Sequence, residues 1–421
     1  MNNSVIVVHY HEVWLKGRNR RFFLRMLQSS LRLALQGLPV KRVEPLGDRM
    51  VVWLGAGDDD GAALQEVIAR IERVLGIAFY AVAQPVERSM EGLCQAAWKE
   101  IEPLQFSSFA VRAKRSDKSF SHTSLEAEAV VGKFILDRLR AQNRDVRVRL
   151  KDPEVTCHVE IVRHIALVYA RKIPGAGGLP ANTAGRMMCL LSGGFDSAVA
   201  AYHMMKRGAH LSFVHFYNAG AKAGESSAHV ATALVRQLVP YQAHGKLYRV
   251  PFEPIQREIV SAAPEEYRIL LYRRMMLRIA EALAKRDHSL ALITGDSLGQ
   301  VASQTLRNMV AVDAASNMVV FRPLAGTDKE AIIETSRKIG TYAISAEPFH
   351  DCCPMFLPRK PALYASPKDL ANAETNLDIN SMLFKAIRAT TVLKFEYKAG
   401  SVEVSEVAPK TDSARTQSAL A

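Results

Sequence analysis

Six consecutive residues, Ser192-Gly193-Gly194-Phe195-Asp196-Ser197, combine two hydroxyls, two glycines and a carboxylate between an apolar run at 187–191 and a renewed helical pattern. Glycines let main-chain amides approach an anion closely, serine hydroxyls donate to it, and the start of the following helix adds partial positive charge. The chemistry implied is a cradle for a pyrophosphate-sized anion. Asp196 either helps to place Mg²⁺, which takes hard oxygen ligands, or simply caps the helix. No Gly-Lys-Ser/Thr follows, so this is not a Walker A loop, and the glycine spacing is not that of the dinucleotide fingerprint.

Residues 293–305, ITGDSLGQVASQT, form a second strand end rich in small and amide-bearing side chains. Gly295 permits close approach there and Gln304 offers paired hydrogen bonds to adenine or ribose, the plain alternative being capping and surface roles. Arg273 and Arg274 open an apolar stretch at 275–280 and are either a solvated helix edge or a clamp for phosphate or RNA. Cys352 and Cys353 lie in a proline-flanked segment, HDCCPMFLP, where an exposed thiolate can serve as nucleophile or sulfur carrier and a buried one only packs. Adjacent cysteines cannot build a tetrahedral zinc site alone. Cys94, Cys157 and Cys189 fall inside helix or strand patterns and are assigned to packing. His9-Tyr10-His11-Glu12 is not HExxH, which removes a metalloprotease reading.

These groups need scaffolds. From 5 to 75 the pattern alternates strands (5–9, 40–45, 50–54) with helices (20–36, 61–75), a split βαβ arrangement of ferredoxin-like type. A strand at 77–85 and a helix at 90–101 follow. In 109–115 period two sends Phe109, Val111 and Ala113 to one face and Arg112 and Lys114 to the other, where phosphate can meet them. Thr123-Ser124-Leu125-Glu126 has capping-box spacing for a helix to about 140, and strands are predicted at 146–150, 156–162 and 165–170. Residues 172–183, rich in Pro and Gly, read as a linker. Beyond it, strands at 187–191, 211–216, 246–250, 290–294 and 319–321 alternate with helices, which predicts a doubly wound parallel sheet with ligands beyond the strands' carboxyl ends. The polar segment from about 399 reads as a disordered tail.

A chain of 421 residues with 48% hydrophobic content supports two to four domains and a sizeable core. Lys and Arg outnumber Asp and Glu by 55 to 42, giving +13 and favouring a polyanionic partner. No eighteen-residue apolar run and no signal-peptide pattern occurs, so a cytoplasmic protein with free thiols and no membrane partner is expected.

The sequence resembles the tRNA 4-thiouridine synthetases, or tRNA sulfurtransferases, a family tied by name to thiamine biosynthesis. The likeness runs to about residue 395. HYHEVWLKGRN at 9–19 is similar to the family's RYGEIxLKGxN opening, with departures at His9 and His11. FAVRAKRSDKSF and KIPGAGGLP look like its THUMP RNA-binding domain and the exit from it. SGGFDS, LYRRMMLRIAE, ITGDSLGQVASQT, RPLAGTDKE and DCCPMFLPRKP follow in family order, the first being the mark of PP-loop ATPases.

The resemblance implies an N-terminal ferredoxin-like domain (1–75), a THUMP domain (76–172), a linker (173–183), a PP-loop domain (184–397) and a tail (398–421). It implies ATP contacts at Leu190, Leu191, Ser192, Gly193, Gly194, Ser197, His215, Phe216, Arg273, Gly295 and Gln304, with Asp196 serving adenylation and Mg²⁺. It implies RNA contacts at Lys16, Arg112, Lys114, Arg115 and Lys118, and a catalytic cysteine in the Cys352-Cys353 pair, Cys352 being preferred. The expected reaction adenylates uridine 8 of tRNA at C4 and replaces AMP by persulfide sulfur. Some members carry a rhodanese domain whose cysteine receives the persulfide. No cysteine follows Cys353 here, so sulfur is expected directly from a cysteine desulfurase or a separate carrier, with transfer to a thiamine-pathway carrier protein a further possible role. Residues 217–221, YNAGA, also depart from the family pattern. A homodimer is one allowed assembly. The competing readings are another PP-loop tRNA modification and a non-catalytic THUMP RNA binder.

Overall fold

Val5-Ile6-Val7-Val8 is apolar on both sides of its strand because both sides are covered. Ile6 and Val8 join Leu27, Leu31, Val67 and Ile71 in one core, and Val5 and Val7 join Val51, Ala81, Leu167 and Tyr169 in another. The computed structural model describes residues 4–55, 61–218, 227–348 and 358–407. The chain divides into two units, Met1–Pro180 and Ala181–Ala421.

The first unit runs β1 (Val5–His9), α1 (Arg20–Ala34), β2 (Val40–Leu46), β3 (Arg49–Leu54), α2 (Ala62–Ile71), β4 (Phe79–Val86), α3 (Met90–Ile101), β5 (Ser108–Arg115), α4 (Ser124–Ala141), β6 (Arg147–Val148), β7 (Val155–Ile161), β8 (Ala166–Tyr169) and β9 (Ile173–Pro174). One sheet, ordered β2-β3-β1-β4-β8-β7-β5-β6, carries both halves. Strand β4 is common to them: residues 79–83 pair with β1 and residues 84–86 with β8, both antiparallel. Helices α3 and α4 cover the second half, with Leu93, Ala97 and Ile101 against Ala127, Val131, Ile135 and Leu139, at the three- and four-residue spacing of a helix stripe. The capping box forms as expected: the Thr123 hydroxyl accepts from the Glu126 amide at 3.2 Å, and Glu126 Oε2 accepts from the Thr123 amide at 2.7 Å.

Two expectations are corrected. The Pro/Gly segment at 173–183 is not a free spacer, because Ile173 and Pro174 pair with Tyr80 and Phe79 of β4. Gly175 lies so close to Ile77 that an added Cβ would stand 2.3 Å from its carbonyl oxygen. The segment at 398–421 does not begin as a disordered tail either: Ser401–Val407 form a strand, and residues 408–421 lie outside the described ones. Ala399 and Gly400, with φ of 47° and 92°, form the two-residue turn that joins this strand to the one before it.

The second unit runs β10 (Arg186–Leu190), α5 (Phe195–Lys206), β11 (His210–Tyr217), α6 (Ser227–Leu238), β12 (His244–Pro251), α7 (Glu253–Ala262), α8 (Arg268–Arg286), β13 (Ala291–Ile293), α9 (Leu306–Asp313), β14 (Val319–Phe321), α10 (Lys329–Lys338), α11 (Tyr342–Ala346), α12 (Pro367–Ala373), α13 (Ile379–Arg388), β15 (Thr391–Lys398) and β16 (Ser401–Val407). Its sheet is ordered β14-β13-β10-β11-β12-β15-β16. The first five strands are parallel, as predicted, while β15 and β16 add an antiparallel edge. Among the described residues no helix is long and apolar enough to cross a membrane.

Candidate nucleotide and RNA sites

Strand β10 stops at Leu190 and α5 starts at Phe195, with Gly194 in extended conformation as its N-cap. Asp196 is therefore inside the first turn, and the capping alternative for it is excluded. The turn is held by its own serines. Ser197 Oγ accepts the Ser192 amide at 3.0 Å and lies 3.0 Å from Ser192 Oγ, which accepts the Gly194 amide at 3.2 Å. Ser197 is buried, so its hydroxyl shapes the turn from inside, whereas Ser192 is exposed. The amides that open a helix have no acceptor within it, and here they share the turn with the positive end of α5.

Asp196 is answered by Lys329, the first residue of α10, whose Nζ lies 2.7 Å from Asp196 Oδ1. Phe195 stacks on Tyr342 at 5.2 Å between centroids. Lys329 was not singled out from sequence, although Asp328-Lys329 opens a helix just past the carboxyl end of β14. That position was the available signal.

The end of β13 packs directly on this turn. A Cβ added to Gly295 would stand 2.6 Å from the Ser197 amide nitrogen, so the close approach that Gly295 permits is to the protein's own backbone. The next residue, Asp296, was also missed. It is buried and gathers Arg273 Nη2, Gln304 Nε2 (3.2 Å), Thr294 Oγ1 (2.8 Å) and Arg322 Nε (3.2 Å). Burial alone would raise its pKa, but the charge and hydrogen bond of Arg273, with Thr294 and Arg322, hold it down at about 2. Arg273 and Arg274 leave α8 in different directions, as successive helical residues do. Arg274 turns into the core, where Glu374 accepts from its Nε and Nη2, each at 2.9 Å.

At the neighbouring strand end the predicted contacts have buried side chains. His215 Nδ1 donates to the Leu191 carbonyl at 2.7 Å, which leaves Nε2 to accept from the Ser227 hydroxyl at 3.0 Å. Phe216 packs edge-on against Phe252, Leu191 is buried, and Leu190 is half-buried against the same core. Any ligand at these four positions meets mainly backbone.

In the first unit Arg112, Lys114 and Lys118 are exposed while Phe109 and Val111 face the core. The Arg112 guanidinium reaches the Leu150 carbonyl and Lys114 pairs with Asp48. Arg115 is half-buried and donates to the carbonyls of Phe120 (3.0 Å) and His122 (2.9 Å), bracing the turn before α4. Lys16 lies over the Phe23 ring at 5.0 Å. A cavity of about 330 Å³ opens beside this face, lined in part by His11, Trp14, Phe79, Arg112, Lys114 and Lys172.

Beneath it, Arg49 is fully buried and Glu160 nearly so. Glu160 takes Arg49 Nε at 2.8 Å, His9 Nε2 at 2.9 Å and the Tyr169 hydroxyl at 2.7 Å. Cys94, Cys157 and Cys189 are buried, as the packing assignment expects, and burial pushes the Cys189 thiol up to about 12. Cys352 and Cys353 lie outside the described residues. Among the described residues no three His, Cys, Asp or Glu side chains converge as a metal site.

Three family models match in order: a ThiI ferredoxin-like domain at 5–81, a THUMP domain at 87–171 and the thiamine biosynthesis protein (ThiI) model at 182–379. A 4-thiouridine synthetase solved with RNA and bound ATP superposes with a TM-score of 0.82 at 28% identity, covering 93% of this chain and 99% of its own. A probable tRNA sulfurtransferase of Geobacillus kaustophilus is 36% identical over 95% of this chain and 98% of that one. The corresponding protein of Thermus thermophilus is 41% identical over 94% and 95%. With identity sustained over nearly the whole of both chains, the protein belongs to the tRNA sulfurtransferase family.

Proposed function

We propose that the protein transfers sulfur to tRNA in an ATP-dependent reaction, converting uridine 8 to 4-thiouridine. The observation that carries this reading is the serine-stapled turn at the start of α5, flanked by Asp196 and Lys329, in a chain whose relatives are tRNA sulfurtransferases. ATP lies with its phosphates against the turn before α5 and beside Lys329, and its nucleoside along the backbone at Leu190, Leu191, His215 and Phe216. Gly295 keeps β13 close to the turn, and Arg273 and Gln304 complete the contacts. Mg²⁺ fits a site with a single carboxylate, because this ion keeps several waters and takes the rest of its ligands from phosphates; Asp196 would hold it, and bound there it would spread the charge of departing pyrophosphate.

The uridine O4 attacks the α-phosphorus and pyrophosphate leaves. The outer sulfur of a persulfide then attacks C4, and AMP departs with the former O4, a far better leaving group than the free oxygen; a second thiol attacks the inner sulfur of the resulting Cys–S–S–C4 link, which releases 4-thiouridine and leaves a disulfide that an external thiol reductant reopens. Cys352, or Cys353 beside it, carries that sulfur, delivered by a cysteine desulfurase in the cytoplasm. Burial of Cys94, Cys157 and Cys189 supports this assignment, since a thiol shut from solvent and held protonated is a poor sulfur carrier. Sulfur delivery to a thiamine-pathway carrier protein would use the same persulfide. Arg112, Lys114 and Lys118 meet tRNA phosphates, whereas Arg115 and Lys16 act by bracing the surface behind them.

The test is reconstitution: purified protein, tRNA, ATP with Mg²⁺, cysteine and a cysteine desulfurase, read by the near-ultraviolet absorbance of 4-thiouridine and by mass spectrometry of position 8. Product is expected with the parent chain and none with Cys352→Ser. Absence of product where a known synthetase gives it overturns the reading, and product from Cys352→Ser but not from Cys353→Ser moves the persulfide to Cys353.

A further inference from the structure

We propose that Asp296 is a positioning residue for the reaction: it sets the Arg273 guanidinium and the Gln304 carboxamide in place at the end of β13 before nucleotide arrives. The inference rests on the nucleotide reading of this strand end given above. Two arginines share the one carboxylate, and their situations differ. Arg322 is also bound by Asp313, with Nη1 donating to Oδ2 at 2.8 Å, so its charge is answered twice. Arg273 has the neutral Ser303 hydroxyl at 3.3 Å as its second contact, and it is the more exposed of the two side chains, 23% against 13%.

Asp296 therefore leaves one guanidinium locked as a wall and the other held in one direction with donors still to give. That is the state in which an arginine is most useful to an anion. A free arginine carries much rotamer freedom, and ordering it only on binding would weaken the complex. The carboxylate is itself fixed by Thr294 and by the packing of Gly295 on Ser197, so the orientation of Arg273 is tied to the turn that takes the phosphates. Gln304 gives its Nε2 hydrogen to the same oxygen as Arg273, which turns its carboxamide oxygen away from Asp296.

A double-mutant cycle on the full chain tests this, with KM for ATP, kcat for thiouridine formation and Tm measured for Asp296→Asn, Arg273→Ala and the pair. Each single change is expected to raise KM for ATP about tenfold with a smaller effect on kcat, and the pair to be no worse than Arg273→Ala alone. If the two KM effects multiply in the pair, the carboxylate acts independently of the arginine and the proposal falls. If Arg273→Ala leaves KM for ATP unaltered, the nucleotide reading of this strand end falls, and the proposal with it. Should Asp296→Asn fail to fold, Asp296→Glu, which keeps the charge but displaces the carboxylate, asks the same question: a rise in KM for ATP of about threefold that disappears in the Arg273→Ala background supports the positioning role, and an unchanged KM or a rise that persists there overturns it.

Discussion

The ammonium of Lys329 and the carboxylate of Asp196, 133 positions apart in the chain, stand 2.7 Å from each other beside the Ser192–Ser197 turn. Each neutralises the other. A triphosphate bound at this turn would change that balance, its oxygens competing for the lysine and leaving the carboxylate open to a cation. Replacing Lys329 by Gln is expected to lower the rate of pyrophosphate release about 10²–10³-fold, the scale for removing one preorganised charge from a developing anion. Single-turnover pyrophosphate assays check this; a rate unchanged by the substitution would separate Lys329 from the chemistry.

Gly295→Ala is expected to disturb the cradle from behind. Its new Cβ would meet the backbone of Asp196 and Ser197 at 2.8 and 2.6 Å, where no flexible side chain is available to yield. The cost is about 1–3 kcal/mol of stability together with a higher KM for ATP. At Gly194 the nearest atom to such a Cβ is Ser192 Oγ at 3.6 Å, so Gly194→Ala should leave Tm unchanged and serves as the control.

The buried Arg49–Glu160 pair makes the first unit sensitive to acid. Burial would raise the Glu160 pKa, but the bond to His9, the charge of Arg49 and the Tyr169 hydroxyl hold it below the usual carboxylate range. A carboxyl depressed in the folded state stabilises at pH values above its unfolded pKa and loses that contribution as pH falls through its folded one. Tm should therefore fall as pH is lowered from about 5. Glu160→Gln should cost about 1–3 kcal/mol at neutral pH, because it leaves the buried Arg49 with Asp48 alone as counter-charge, and should flatten this acid limb. An acid limb of the same steepness in the variant would assign it elsewhere.

For RNA, Arg112→Ala and Lys118→Ala are expected to weaken tRNA binding similarly for all sequences and to reduce the slope of log affinity against log salt by about 1 each. Arg115→Ala should instead lower Tm, since its donors are committed to the carbonyls of Phe120 and His122. Filter binding across a salt series distinguishes the two behaviours.

The strand-turn-helix geometry around Ser192–Ser197 was legible because a glycine-serine turn between an apolar strand and a helix is a local pattern, and the parallel sheet because its strands alternate with helices at regular spacing. What escaped the sequence was long-range. Asp296 acquires meaning from Arg273 and Arg322, 23 and 26 positions away on either side, and nothing near it signals their convergence. Arg49 reads as one more basic residue until folding brings it against Glu160. Strand β16 was missed because the polar residues of 401–407 outweigh its alternating Val402 and Val404, and because the turn rests on Ala399, a residue rarely found at positive φ. His215 and Phe216 stand at the expected strand end, but their burial could not be read from type alone.

Arg49 also limits how the first unit can be taken apart. It leaves a strand of the ferredoxin-like half and reaches Glu160 in the THUMP half as well as its own neighbour Asp48, while β4 belongs to both. Excising residues 87–171 to graft onto another enzyme would strip Glu160 of both Arg49 and His9 and part β8 from residues 84–86 of β4. The two halves share one sheet and one buried charge cluster, so an engineer who wants the THUMP module must transplant residues from the very beginning of the chain along with it.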